Sequence, residues 1–386
     1  MNPISITSIS SISALGTSPE SVWESYQNRK ALFSEKKSNG SKVLVSKIAS
    51  KGKAEIELLR KSNPFYKKLD DSVLFAIFSA RKTIENSSNN PSLGGNWGQA
   101  GINIGSSRGA TGLFEKYHRL FLEKGKTETL ASPTTTLGNI SSWVAQDLGI
   151  SGPAIEHSIT CSTALHAFLN GIAWLNSGMN DKFLVGGSEA PLTEFTIAQM
   201  QALKLYANKK SDFPCESLKW NKKNNSMILG EAAGMASLEI DAPNALANIT
   251  GAGYATEKLT HNISISADAE CFQKSMKMAL NSAKLKTVDA IVMHAPGTVK
   301  GDLAELKAIE KTFADLPTLT TNKWMIGHTF GASGIMSVEL AVLMLQHQEF
   351  IENPFFENEK IPNKINSVMV NAVGFGGNAV SLILQR

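Results

Sequence analysis

The sequence predicts an α/β fold, because segments with the composition of buried strands alternate along the chain with segments of helical periodicity. The chain has 386 residues, 42% of them hydrophobic and 19% charged, which is enough for a large core. Length alone suggests two or three domains. We place a boundary where Pro243 and Asn244 interrupt the pattern, giving an N-terminal half of residues 1–240 and a C-terminal half of residues 241–386.

The individual elements can be assigned in order along both halves. The segments with strand composition are residues 154–160, 182–185, 288–293, 367–373 and 379–384. Apolar positions recur at helical spacing over residues 161–177 and again over residues 334–348. Residues 35–53 are rich in Lys, Ser and Asn, which predicts a loop or an exposed edge.

Composition argues against several classes of protein. The 38 basic and 34 acidic residues give a net charge of +4, too little for binding nucleic acid by bulk charge. Three cysteines without a CxxC pair argue against a disulfide scaffold and against a zinc site. The N-terminus lacks a signal-peptide pattern, and no apolar run approaches the ~20 residues of a membrane span. We therefore expect a cytoplasmic protein with reduced thiols and no metal.

The positive charge is concentrated near the N-terminus. Residues 1–70 hold twelve Lys and Arg against six Asp and Glu, a net of +6, whereas the remainder holds 26 against 28, a net of −2. One interpretation is an ordinary solvated surface, and the other is a docking patch for an acidic partner.

Cys161 is the first candidate for chemistry. It follows a predicted strand and begins an amphipathic helix, where unpaired N–H groups and the helix dipole favour a thiolate. Such a thiolate could be a nucleophile, with nearby amides to hold an oxyanion. The alternative is a small buried apolar residue, which free cysteine usually is. Cys215 and Cys271 have no comparable setting.

Two histidines also lie at the ends of predicted elements. His294 ends a buried strand, at the edge where open α/β sheets gather ligands and catalytic groups. His328 lies in a small-residue turn that leads into a helix. Either histidine alone is readily explained as structural, but together with Cys161 they suggest a shared site.

As a set, these residues resemble the β-ketoacyl synthases, the elongating Cys-His-His condensing enzymes of the thiolase superfamily. The spacings match, with 133 residues from the cysteine to the first histidine and 34 to the second. Initiating synthases of the same fold use a Cys-His-Asn set, so the second histidine favours the elongating branch. The motifs are ITCSTA around Cys161, His294 with GDLAE ending at Glu305, Lys323 with Gly327 and His328, and NAVGFGG over residues 371–377.

The resemblance implies a thiolase fold, five αβαβα layers built from two similar halves, in a protein that is usually dimeric. It implies that Cys161 takes an acyl chain from a carrier-protein thioester. His294 and His328 then stabilise the enolate that forms when a malonyl thioester loses carbon dioxide. This chemistry needs only a thiol and imidazoles, so no cofactor is expected.

The resemblance also assigns supporting roles. Lys323 would orient the histidines, paired with Glu305. The backbone amides of Cys161 and Phe375 would form the oxyanion hole, and the Phe375 side chain would gate the acyl pocket.

Departures from the family pattern concern the substrate more than the chemistry. Thr298 keeps one of two hydroxyls expected to bind the pantetheine arm, and Pro296 replaces the other. Met227 stands where the family has a bulky residue of the acyl pocket, and its flexible thioether predicts a looser pocket. We therefore expect a specialised synthase, for polyenes or pigments rather than housekeeping fatty acids, while the pathway itself stays open among fatty acid, polyketide and aryl polyene-type synthesis.

The implied partner, an acyl carrier protein, is acidic, which gives the basic N-terminal region a candidate purpose. In the family, basic residues near the start of an early helix contact the carrier. Lys67 and Lys68 fall at that place, with Arg60 and Lys61 just before them.

Two other functions are compatible with the resemblance. The chain could be a non-catalytic chain-length factor in a heterodimer, or a malonyl decarboxylase that does not condense. Chain-length factors typically lack the nucleophile, whereas Cys161 is present here, so we expect an active subunit that forms a homodimer or pairs with a ketosynthase-like chain.

Overall fold

The computed structural model describes residues 3–38, 40–87, 97–208, 211–258 and 265–386, in which strands and helices alternate as predicted. The strands are β1 (Ile4–Ile12), β2 (Ser34–Ser38), β3 (Ser41–Ser46), β4 (Gly101–Gly105), β5 (Ala154–Ile155), β6 (Lys182–Glu189), β7 (Leu229–Gly230), β8 (Ala232–Ile240), β9 (Ala247–Thr256), β10 (Ala290–Val292), β11 (Thr318–Thr320), β12 (Ser367–Gly374) and β13 (Asn378–Gln385). The helices are α1 (Pro19–Gln27), α2 (Ser50–Ser62), α3 (Asp71–Glu85), α4 (Thr111–Lys124), α5 (Ala131–Thr134), α6 (Ile140–Leu148), α7 (Thr163–Asn176), α8 (Glu194–Ala202), α9 (Glu270–Ala283), α10 (Val299–Glu310), α11 (Lys323–Ile326) and α12 (Ser333–His347).

The large sheet consists of two halves with the same internal order. The first half runs β1-β8-β6-β4-β5 and the second runs β9-β13-β12-β10-β11. In each half the first two neighbouring pairs are antiparallel and the next two are parallel. β1 pairs antiparallel with β9, with Ile4 opposite Ile249, and this pairing joins the halves. The repeat confirms two similar halves, while the division at residues 240 and 241 stays a prediction.

Helices form layers between and outside the two halves. α7 and α12 lie in the centre, and each packs against strands of both halves. α3 covers the outer face of the first half, and α9 with α10 covers the outer face of the second. Each interface has its own apolar cluster of buried side chains. The expected αβαβα layering is therefore confirmed.

The central helix α12 is unusually apolar. By length and composition, the segment Phe330–His347 is apolar enough to cross a membrane, contrary to the expectation from the sequence, and 89% of it is buried inside the protein. Burial of this kind is typical of a core helix in a layered α/β fold.

Both central helices begin in the same way. A short 3-10 turn precedes each of them, Thr160–Ser162 before α7 and Phe330–Ala332 before α12. The first residue of each turn has a left-handed φ, 47° in one half and 44° in the other. The middle residue is Cys161 in the first half and Gly331 in the second. The nucleophile candidate therefore lies just before its helix and not within it.

The strand predicted at residues 154–160 is mostly wrong, because only Ala154–Ile155 pairs with a neighbour. The Glu156 carboxylate instead accepts the Ser141 N–H at 3.1 Å, and the His157 ring bonds the carbonyl that begins α7. With these side-chain hydrogen bonds, residues 156 and 157 do not continue the strand pairing of β5.

The N-terminal region from residue 35 to residue 53 is more ordered than predicted. β2 and β3 form a hairpin whose outer strand is largely exposed, as an edge should be. The loop prediction is wrong beyond the hairpin, because α2 begins at Ser50. β3 also pairs with β7, so the hairpin belongs to a second, three-stranded sheet.

Glu339 on α12 makes the stability of the fold depend on pH. Its carboxylate is buried and accepts a hydrogen bond from the Ser11 hydroxyl at 2.7 Å, and burial raises its pKa to about 7. Folding therefore favours the protonated form, so its contribution is complete below the ordinary pKa of 4.5 and is lost as pH rises through about 7. We expect Glu339→Gln to remove a loss of about 2–3 kcal/mol between pH 5 and pH 8, measured by urea unfolding.

The matched control for this prediction is Glu310→Gln, at the exposed end of α10. The control should keep the pH dependence of the unmodified protein. Unfolding free energies of Glu339→Gln that run parallel to those of the unmodified protein would contradict the prediction.

Candidate active site

The predicted catalytic side chains converge in the interior, at the meeting of the two halves. Cys161, His294, Lys323 and His328 are each at most 6% exposed. The two imidazole rings lie 5.2 Å apart between centroids, at an angle of 86°. The His328 ring is also 5.3 Å from the Phe330 ring, which packs in the same apolar cluster as Cys161. One buried thiol thus shares a site with two imidazoles and one lysine.

His294 is positioned by two carboxylates on α10. Glu305 accepts the backbone N–H groups of His294 and Ala295, both at 2.9 Å. Asp302 accepts the backbone N–H groups of residues 297 and 298, both at 3.0 Å. Because a buried carboxylate needs such donors, the loop after β10 and the first turns of α10 stabilise each other.

His328 is positioned by the small sheet. Its N–H donates to the Ile228 carbonyl at 2.7 Å, and its own carbonyl accepts the Gly230 N–H at 3.0 Å. Gly327, which precedes it, has a φ of 67° and lies against the same carbonyl, leaving no room for a side chain. The backbone of His328 therefore pairs with β7 in the way that a neighbouring strand would.

Lys323 differs from the expectation, because it does not form an ion pair with Glu305. Among the described residues its Nζ has no hydrogen-bond partner, and the side chain is buried. Burial lowers its pKa to about 8, while the negative charge of Glu305 opposes the shift. The ammonium therefore remains mostly charged at neutral pH.

Both histidines are held neutral. Burial, with the Lys323 charge as the second cause, lowers the pKa of His328 to about 3. The same two causes, with a smaller contribution from His328, place the pKa of His294 well below its usual 6.5. Two neutral imidazoles can each present an N–H donor to developing negative charge.

The Cys161 thiol is not activated in the way its sequence position suggested. Burial raises its pKa to about 12, and the negative charge of Glu189 adds to the shift. Lys323 and Arg108 oppose it, as does the thiol's own backbone N–H. Burial therefore opposes the thiolate that the position before a helix suggested, and it favours the neutral thiol.

The turn that carries Phe375 lies directly against the Cys161 turn. The Thr160 hydroxyl donates to the Phe375 carbonyl at 3.3 Å. Gly374 is required here, because a Cβ would collide with that hydroxyl. The Phe375 side chain is 40% exposed, as a gate at an entrance would be. Its role in the oxyanion hole stays a prediction.

A small apolar cluster surrounds the thiol, and we call it the Cys161 cluster. Met227 is a buried member of this cluster, and its role in the acyl pocket stays a prediction. The Thr298 hydroxyl caps α10 by accepting the Gly301 N–H at 3.2 Å, and its expected contact with the pantetheine arm stays a prediction. The buried members of the cluster are Val43, Val45, Cys161, Leu192, Ile197, Met200, Tyr206, Met227, Leu229 and Phe330.

Sequence reasoning missed Glu189, which ends β6 beneath Cys161. It is fully buried, and its Oε1 accepts the Ser106 hydroxyl at 2.7 Å and the Arg108 N–H at 3.0 Å. The sequence did contain a signal for Glu189. It ends an apolar, glycine-rich strand that should be buried, and a buried glutamate usually has bonding partners.

The predicted docking residues divide into two groups. Lys61, Lys67 and Lys68 are exposed at the end of α2 and in the turn before α3. Arg60 is instead held by an ion pair with Asp71.

Among the described residues, no group of three or more His, Cys, Asp or Glu side chains is placed to hold a metal ion.

Comparisons with known proteins agree with this geometry. The model of the β-ketoacyl synthase N-terminal domain matches residues 1–242, and that of the C-terminal domain matches residues 246–357. The chain is 29% identical over 351 residues to 3-oxoacyl-[acyl-carrier-protein] synthase 2 of Coxiella burnetii, covering 83% of each.

Solved structures show the same fold. The complex AntDE:AntF, of a type II PKS acyl-carrier protein with its ketosynthase, contains a chain matched with a TM-score of 0.85 at 18% identity, covering 100% of this chain and 99% of that one. The ketosynthase ApeO with its chain length factor ApeC from Xenorhabdus doucetiae gives 0.79 at 20% identity, covering 100% and 98%. The protein has the thiolase fold that its sequence implied. The chain belongs to the β-ketoacyl synthase family.

The negative and positive charges near Cys161 should have opposite effects on the reactivity of its thiol. Glu189→Gln removes a negative charge and should lower the thiol pKa, whereas Lys323→Met removes a positive charge and should raise it. We expect iodoacetamide to alkylate Cys161 several-fold faster in the first variant and several-fold slower in the second at pH 8, measured by intact mass.

The control for this measurement is Cys161→Ala. It retains Cys215 and Cys271, so any alkylation of this variant comes from those two thiols and is subtracted. Changes of the same sign in both charge variants would show that packing, and not charge, controls the thiol.

Proposed function

We propose that this protein is a β-ketoacyl-[acyl-carrier-protein] synthase that joins an acyl group on Cys161 to a malonyl unit by decarboxylative Claisen condensation. The observation that carries the proposal is the convergence of one buried thiol with two neutral imidazoles from the other half of the chain. Family membership and the named activity of the relative support the same reaction class.

The first step transfers an acyl chain from a carrier thioester to Cys161. The sulfur attacks the acyl carbon, the thiol proton leaves, and the carrier's thiol departs. The backbone N–H groups of Cys161 and Phe375 stabilise the oxyanion that forms on the acyl oxygen. The proton of the Cys161 thiol passes to the departing carrier sulfur, and the nearby Lys323 charge favours its loss electrostatically.

The second step forms the new carbon–carbon bond. The bond from the malonyl carbon to its carboxylate breaks, the carboxylate leaves as carbon dioxide, and the electron pair of the bond forms a thioester enolate. His294 and His328 donate N–H groups to the enolate oxygen, where neutral donors in a buried site are most effective. The enolate carbon attacks the acyl carbon on Cys161, and the sulfur leaves with its electron pair.

This two-step reaction can be tested by separating acylation from condensation. We expect Cys161→Ala to abolish acylation, observed by intact mass after incubation with an acyl-carrier thioester. His328→Ala should still be acylated but lose about 10²–10³ in the rate of condensation with a malonyl carrier, because one enolate donor is gone. Acylation that persists without Cys161 would refute the proposal, as would full condensation without His328.

We propose that the carrier docks beside the turn before α3. Lys67 and Lys68 are exposed there, next to a groove of about 560 Å³ whose walls include Phe65, Leu130 and Trp143. The Phe65 side chain is 68% exposed, which is unusual for so large an apolar residue. An acidic carrier with an apolar helix face would match both the charge and the groove.

Charge reversal tests this docking site. The double variant Lys67→Glu and Lys68→Glu should raise KM for the carrier-linked substrate while leaving kcat nearly unchanged, because rim charges act mainly on encounter. The matched control reverses two exposed lysines of the C-terminal half, Lys277 and Lys284, on and just after α9. Equal KM values in both double variants would dispose of the site.

We further propose that the chain works as an active subunit of a dimer, cytoplasmic and specialised toward polyketide or polyene-type products. Its partner is a second copy or a chain-length factor, as ApeO has in its complex. The exposed two-residue strand β5 at the end of the large sheet offers an edge for such pairing.

A further inference from the structure

One cation at the rim of the Cys161 cluster forms no ion pair with a carboxylate of the described residues. The guanidinium carbon of Arg108 lies 5.7 Å from the centre of the Phe330 ring, and its Nη2 donates to the Gln199 side chain. The half-buried guanidinium of Arg108 therefore has N–H donors that no carboxylate of the described residues accepts.

The place of this side chain is fixed by the fold. The Arg108 N–H is held by Glu189 at 3.0 Å, and the Gly109 N–H by the Ser106 hydroxyl at 2.9 Å. Gln199 lies on α8 between Ile197 and Met200, which are both members of the Cys161 cluster. The polar pair thus borders the apolar side chains that would surround an acyl chain.

We propose that Arg108 and Gln199 select acyl chains that carry an oxygen at their distal end, as a hydroxyl, a carbonyl or a carboxylate. This inference rests on the proposed function, because it assigns the acyl group held on Cys161. A saturated chain that reached the pair would strip water from the guanidinium and return no acceptor. An oxygen there would accept a charge-assisted hydrogen bond.

The electrostatics agree with this placement. The Arg108 charge acts on the Cys161 thiol and on the Glu189 carboxyl, in each case lowering the pKa. The guanidinium is therefore near the thiol, and the Phe330 ring contacts both the guanidinium and the His328 ring. That position suits the chain on the sulfur better than it suits the malonyl unit.

The test compares carrier-linked acyl chains of equal length that end in a methyl, a hydroxyl or a carboxylate group. We expect the unmodified protein to load the two oxygen-bearing chains onto Cys161 about 10- to 100-fold faster than the methyl-ended chain, followed by intact mass. Arg108→Met should abolish this preference. The matched control, Arg119→Met on the exposed face of α4, should retain it.

The outcomes separate clearly. Loading of the methyl-ended chain at an equal rate by the unmodified protein would overturn the inference, and this result needs no variant to fold. An equal loss for all three chains in Arg108→Met would assign the guanidinium to the shared phosphopantetheine arm and would also overturn it. If no acyl chain is loaded onto Cys161, both the proposed function and this inference fail. If all three chains are loaded at equal rates, only this inference fails.

Discussion

The structure depends on how closely the two central helices approach each other at their first turns. A Cβ at Gly334 on α12 would lie 2.9 Å from the side chain of Leu165 on α7, and one at Gly187 would lie 2.5 Å from the Gly331 carbonyl. Only glycine permits contacts this short. They bring the Cys161 turn of one half against the turn that follows His328 in the other, so neither half contains the site alone.

Burial then sets the chemical state of every group in that site. The thiol is uncharged, the imidazoles are uncharged, and Lys323 supplies a positive charge without a bonded partner among the described residues. In a dry interior one such charge acts over a longer range than it would in water. The neutral thiol and the neutral imidazoles therefore lie near the buried positive charge of Lys323.

Sequence reasoning succeeded where the signal was local. His294 could be found because it follows a strand that apolar spacing assigns. Cys161 could be found because it precedes a helix of apolar periodicity, although only Ala154–Ile155 of the strand expected before it forms. The order of the motifs also identified the family, and with it the five layers of the fold.

Properties that arise from long-range packing could not be predicted in the same way. Val43 and Val45 reach the Cys161 cluster through a hairpin far away in the sequence, and no local pattern links them to the thiol. The choice between an activated and a buried Cys161 stayed open at the sequence level, because a helix start can be assigned from a sequence while the burial that raises the pKa of the thiol cannot. The partner of Glu305 was also wrong, since its carboxylate is used by two backbone amides.

The repeated entry turn has a consequence for stoichiometry. Gly331 occupies in the second half the place that Cys161 occupies in the first, and any side chain there would press on the Ser107 amide and the Glu189 carboxylate. The duplicated architecture thus cannot carry a second nucleophile at its symmetric position. Of the two equivalent turns, the one in the first half carries a thiol, and the space beside Gly331 is filled by close packing of its neighbours.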